Sequence, residues 1–187
     1  MIWNDNPDIR LIHCSNSRHD VQHHLNDCRE ERRPYVFITD TMRNIDMLHR
    51  ILVPVSMLEE EVYKAEICTY LARKTGATIV LLRANDYGSH AKQNLQRIVT
   101  HIHAVRERTG EPIEYEEYVS IKDSFSLMQE AAERQRDFGH QLLVLTASRE
   151  YGLDDVLFGP PERKAILKSQ VPVMLLNPRD DLFSLCD

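Results

Sequence analysis

A chain of 187 residues, 42% of them apolar, has room for one full α/β domain and some additional structure. Its net charge of −6 removes any chain-wide pull toward DNA or RNA, and its basic clusters (Arg29, Arg32, Arg33; Arg106, Arg108) are interleaved with acids, as on a solvated helix face. No apolar segment approaches the ~20 residues that cross a bilayer, Met1 to Arg10 lacks a signal-peptide pattern, and Cys14, Cys28, Cys68 and Cys186 have no regular spacing, so reduced thiols in a cytoplasmic protein are expected.

Along the chain, Ile9 to His13 is a short apolar run. Arg18 to Arg33 reads as a polar helix with Val21, Leu25 and Cys28 on one face, and Tyr35 to Thr39 is rich in β-formers. Residues 1–48 thus read as a strand–helix–strand segment. Its end, Arg33-Pro34-Tyr35-Val36-Phe37-Ile38, is patterned like Val171-Pro172-Val173-Met174-Leu175-Leu176 near the end of the chain. Two readings stand: a lead-in packed on the main domain, or the last third of an earlier copy of the same fold. His13, Cys14, His19, His23, His24 and Cys28 form the one metal-like group. His19 and His23 have ligand-competent spacing, but no closed four-ligand pattern exists and no metal is expected.

Arg50 to Val55 is an apolar strand that stops at Ser56. Leu58, Val62, Ala65, Cys68 and Ala72 have helical spacing, with Gly76 as the stop. Thr78 to Leu82 is the next strand, and Leu95, Ile98, Val99, Ile102 and Val105 mark a long helix ended by Gly110. Glu114 to Val119 reads as an edge strand. Asp123 is an N-cap candidate for a third helix with Phe125, Met128 and Ala132 inward, ended by Gly139. Leu142 to Ala147 and Val171 to Leu176 are apolar runs too short for core helices and too continuous for half-exposed strands. They read as parallel strands buried on both faces, joined by a polar loop (Ser148 to Gly159) and a basic helix (Glu162 to Lys168). Residues 49–178 are therefore expected to form an open, doubly wound α/β domain around a parallel five-stranded sheet, with 179–187 as a tail. Chemistry in such a sheet sits at the carboxyl ends of its strands.

Four pieces in this order and spacing resemble the universal stress protein family: Ile51-Leu52-Val53-Pro54-Val55; Gly76-Ala77-Thr78-Ile79-Val80-Leu81-Leu82; Leu142-Leu143-Val144-Leu145-Thr146; and Gly159 with Glu162, Arg163 and Val171-Pro172-Val173-Met174-Leu175. The resemblance covers residues 49–178. It implies an adenine nucleotide alpha hydrolase-like sheet of order 3-2-1-4-5, dimerisation through the last strand, and, in many members, ATP at the switch point between strands one and four. The motif is degenerate here. ATP-binding members carry Gly-x-x-Gly, nine residues, then Gly-Ser or Gly-Thr. Aligned on Gly159, the first two glycines become Thr146 and Arg149, the Ser/Thr becomes Pro160, and the acidic residue after the first strand becomes Ser56. Phosphates are held by backbone N–H groups at a glycine-rich turn and a helix N-terminus, and Pro160 and Pro161 have none to give.

The leading expectation is a stress-response regulatory module acting through dimerisation and protein contacts, with ordinary ATP binding lost. The alternative is a nucleotide (ATP or AMP) or another small anion at the switch point, bounded by Pro54, Val55, Ser56, Ala84, Thr146, Ser148, Arg149 and Gly159. Arg149 either meets that anion or pairs with Glu150, Asp154 or Asp155. Slow nucleotide hydrolysis is a distant third: no catalytic residue is identifiable, and neither a Walker loop nor Gly-x-Gly-x-x-Gly follows the first strand. Val171, Val173, Met174, Leu175 and Leu176 make the last strand apolar on both faces, which suits pairing with a second copy. The strand Tyr35–Thr39 occupying that edge within one chain is the other option.

Overall fold

The computed structural model describes residues 8–43, 47–148 and 160–178. Its seven strands are β1 (Arg10–Cys14), β2 (Tyr35–Thr39), β3 (Arg50–Val55), β4 (Thr78–Arg83), β5 (Tyr115–Val119), β6 (Leu142–Thr146) and β7 (Val173–Leu176). They form one sheet in the order β1-β2-β7-β6-β3-β4-β5. From β3 onward the strands are mutually parallel, and their spatial order β5-β4-β3-β6-β7 is the expected 3-2-1-4-5 arrangement.

Alternation along each strand explains the unbroken apolar runs. In β3, Leu52 joins the core under α1 (Arg18–Asp27), α4 (Ser124–Glu133) and α6 (Pro161–Lys168), whereas Ile51 and Val53 join the core under α2 (Lys64–Thr75) and α3 (His90–Thr109). β6 repeats this, with Leu143 and Leu145 on the first face and Leu142 and Val144 on the second. A 3₁₀ turn (Glu59–Tyr63) leads into α2, and a short α5 (Gln135–Phe138) leads toward β6. Gly76 and Gly110 close α2 and α3 at φ of 73° and 70°, a region in which a side chain is strained.

Three expectations need correction. The helix read as Arg18–Arg33 ends at Asp27, because the Asn177 amide donates to the carbonyls of Cys28, Arg29 and Glu31 and so ties the following turn to the end of β7. Phe125 was expected inward but is 82% exposed. With Leu127 and Ala131 holding the inward stripe of α4, a residue two positions before Leu127 falls on the opposite side. The third correction concerns the last strand. β7 is not an edge: β2 pairs antiparallel with it at Tyr35↔Leu175, Val36↔Met174 and Phe37↔Val173. The edge through which Val171, Val173, Met174, Leu175 and Leu176 were expected to recruit a second copy is filled from within the chain. The Tyr35 hydroxyl seals the contact by donating to Asn177 Oδ1 at 2.7 Å, and Arg163 of α6 donates to Gln22 of α1 at 3.1 Å.

Candidate functional site

β3 and β6 are neighbours whose following helices cover opposite faces, so a crevice opens at their carboxyl ends. A cavity of about 180 Å³ occupies it. Of the eight residues expected there, Pro54, Ser56, Thr146 and Ser148 line the cavity. Val55 and Ala84 are core residues beside it, with the Ala84 N–H donating to Val55 O at 2.9 Å. Arg149 and Gly159 lie outside the described residues, as do Glu150, Asp154 and Asp155.

Sequence reasoning missed the charged floor of the crevice. Glu61 and Lys64 face each other across one helical turn as an ion pair, and Lys64 is only 1% exposed. Its ammonium also donates to the Pro54 carbonyl. Ser56 Oγ donates to Glu61 Oε1 at 2.8 Å and accepts from Leu58 N at 3.3 Å. Ser56 therefore organises the turn that opens the helix, as its residue type suggests. Asn94 of α3 braces the same turn by donating to Ser56 O and Leu58 O at 3.0 and 2.8 Å. The signal was present: Glu61 sits within the apolar stripe Leu58–Ala65–Cys68, and Lys64 follows it at i+3, the spacing of a helical ion pair.

The opposite wall comes from α4 and α6. Ser124 Oγ accepts from Met57 N at 2.8 Å and donates to Asp86 at 2.5 Å, which joins the loops after β3, β4 and β5. At the start of α6, Pro160 is the N-cap and Pro161 the first helical residue. Glu162 in that first turn is buried, and its carboxylate accepts the Ser148 backbone N–H. Thr146 is 5% exposed, and its hydroxyl has no hydrogen-bond partner. Two residues beyond Val144, it faces the α2 side of the sheet, where Glu61 and Lys64 lie.

The N-terminal histidines and cysteines do not converge. His23 and His24 sit 3.6 and 3.7 Å from Asp27 and Asp20 along α1, Cys14 and Cys28 are buried, and among the described residues no group of three or more His, Cys, Asp or Glu side chains is placed to hold a metal. No helix among them is long and apolar enough to cross a membrane.

Neither a family model nor a curated protein sequence matches this chain. Solved structures do. A universal stress protein from Archaeoglobus fulgidus DSM 4304 superposes with a TM-score of 0.66 at 13% identity, over 92% of this chain and 62% of that one. This chain thus spans less than two thirds of that protein's length. A universal stress protein in complex with cAMP superposes at 0.54 and 13% identity, over 72% of this chain and 100% of the other. A protein of unknown function from Pseudomonas aeruginosa PAO1 does so at 0.53 and 13%, over 94% and 65%. The likeness is one of architecture, and it agrees with the strand order and crossovers described above: the chain has the fold of the universal stress proteins.

Proposed function

We propose that the chain is a cytoplasmic stress-response regulatory module that acts through protein contacts and has lost ordinary ATP binding. The observation that carries this is the Glu162 carboxylate on the Ser148 amide. A nucleoside triphosphate at this switch point needs backbone N–H groups after β6 and at the start of the next helix. Here the Ser148 amide is already spent on an internal anion, and Pro160 and Pro161 supply no N–H. An incoming phosphate would have to displace a buried carboxylate from that amide. Isothermal titration calorimetry of the full chain with ATP and AMP tests the reading. No saturable heat at millimolar nucleotide is expected, and saturable binding of either nucleotide would overturn it.

The regulatory contact is proposed to differ from a dimer built on the last strand, since β2 supplies that contact in cis. Residues 1–48 are proposed to be the closing part of a preceding repeat. Structures longer than this chain cover 92% and 94% of it, whereas the shorter cAMP complex covers 72%.

A second reading is favoured by one specific observation. The Thr146 hydroxyl is buried without a partner at the wall of a cavity. Buried hydroxyls are nearly always hydrogen-bonded, so the crevice retains a site for something small, even with its phosphate donors spent.

A further inference from the structure

We infer that the crevice between β3 and β6 takes a small uncharged molecule, with a carbonyl or hydroxyl head on an apolar body. This rests on the second reading above, that the crevice holds a ligand, and it names the class.

Size sets the first limit. Sites for drug-sized ligands start at roughly 300 Å³. The cavity here is about 180 Å³, the liquid volume of about six waters at ~30 Å³ each. It is too small to enclose a nucleotide.

The polar groups set the head. An ammonium has three N–H donors. Lys64 spends one on the Pro54 carbonyl and one on Glu61, which leaves a third beside the cavity it lines. The Thr146 hydroxyl, on the same side of the sheet, both donates and accepts and has no partner. Together they call for a ligand that accepts at least one hydrogen bond. Leu58, Phe125, Leu127, Met128, Leu145 and Ala147 supply most of the remaining lining, and among the other residues there Ser56 and Ser124 already hydrogen-bond within the protein, so the body is apolar.

Charge decides between an anion and a neutral molecule. The Lys64 cation is matched one-to-one by Glu61 at the cavity floor. A carboxylate or phosphate entering here would be a second anion with no further cation among the described residues of the lining to meet it, in a site where unpaired charge is costly. It would also approach the buried Glu162 carboxylate at the rim by Ser148. A neutral carbonyl or alcohol takes the spare N–H without that penalty.

The matched pair isobutyramide and isobutyrate, alike in shape and different in charge, separates these cases. The full ¹⁵N-labelled chain is titrated with each, and with inorganic phosphate, at pH 7. Isobutyramide is expected to give saturable shifts centred on the amides of Thr146, Ala147 and Ser148, and the two anions are expected to give none. Thr146→Val deletes a hydroxyl that has no partner, so the variant folds, and it is expected to weaken isobutyramide roughly three- to tenfold. If no compound gives saturable shifts, the crevice holds no ligand and both readings fall. If isobutyrate or phosphate saturates and isobutyramide does not, the crevice is a ligand site and the uncharged class is wrong. If isobutyramide binds Thr146→Val as tightly as the parent, the site is elsewhere and the inference fails.

Discussion

His140 offers the sharpest test of the energetics. It precedes β6 at the amino end of the sheet, is 0% exposed, and neither ring nitrogen has a hydrogen-bond partner. Burial, and next the Arg50 guanidinium, push its pKa down from the usual 6.5 to about 4. As pH falls through 6.5 the unfolded chain takes up a proton at this position, while the native chain refuses it until about pH 4. The unfolded state therefore binds more protons across that window, so stability is full above 6.5 and drains as pH drops toward 4. At 1.36 kcal/mol per pKa unit the gap is worth roughly 3 kcal/mol. His140→Leu removes the titration and replaces two unsatisfied polar atoms with hydrocarbon of similar volume. At pH 7 the variant is expected to equal or exceed the parent in stability, by up to about 1–3 kcal/mol. Urea unfolding followed by circular dichroism, on both proteins at half-unit steps from pH 7.5 to 4, reads the difference directly, because the other histidines are common to both. The parent is expected to lose roughly 3 kcal/mol more than the variant over this range. Parallel pH profiles, or a variant destabilised at pH 7 by several kcal/mol, would refute the reasoning.

Lys64→Met leaves Glu61 buried without its cation and is expected to cost about 3–5 kcal/mol in chemical denaturation; most of that returns in the double variant Glu61→Gln/Lys64→Met. A single-variant loss below about 1 kcal/mol would show that the pair is not buried as described. Phe37→Ala empties a fully buried position in β2 and is expected to cost about 3–5 kcal/mol; a near-neutral result would mean that β2 is not seated on β7. Glu116→Gln probes the far edge, where the Arg50 guanidinium, and then the Tyr118 hydroxyl, hold this carboxyl down at about 2. Its contribution is present above the usual carboxylate range and lost as pH falls from there toward 2, below the His140 window; with 37% of the side chain exposed, solvent keeps it under about 1 kcal/mol, measured as a shallower acid limb in the variant.

What was legible in the sequence was set by burial on both faces. Ile51–Val55, Ile79–Leu82, Leu142–Leu145 and Val173–Leu176 alternate between two cores, so their apolar runs carry no polar face to confuse with a helix. Helix ends were legible where a glycine closed them, as at Gly76 and Gly110. They failed at α1, where the stop comes from Asn177, about 150 residues further on. Phe125 was misplaced because a stripe drawn from Phe125, Met128 and Ala132 and one drawn from Leu127 and Ala131 are both helical. Tertiary packing buried Leu127, Ala131 and Ala132, set Met128 against them, and left only Phe125 outside. Of the six expected crevice residues that are described, four line the cavity, since strand ends follow from topology. The Glu61–Lys64 floor was missed, because a charged residue inside an apolar stripe reads as a solvated position until its partner is seen. The last strand was correctly seen as needing a partner, but an apolar pattern does not say whether that partner is another molecule or a strand of the same chain.

Strand registers and side chains both support the proposed origin of that strand in a preceding repeat. β1 runs parallel to β2 with Arg10 opposite Tyr35, and β6 runs parallel to β7 with Leu143 opposite Val173. β2 and β7 meet antiparallel about the central pair Val36–Met174. Placing Tyr35 on Val173 therefore places Pro34 on Pro172, Arg10 on Leu143 and Ser15 on Ser148. Each of those serines follows its strand and precedes a helix, and each gives its backbone N–H to a carboxylate from that helix's first turn: Ser15 to Asp20 at 2.7 Å, Ser148 to Glu162. A lead-in segment that merely packed against the domain would have no reason to reproduce either the register or the acid. A repeat of the same fold would have both. By the same correspondence, the carboxylate on the Ser148 amide is a device used twice in this chain rather than the decay of one phosphate loop. Glu162→Gln should then leave the fold intact without restoring nucleotide binding, because the proline pair at the start of α6 would still withhold its amides.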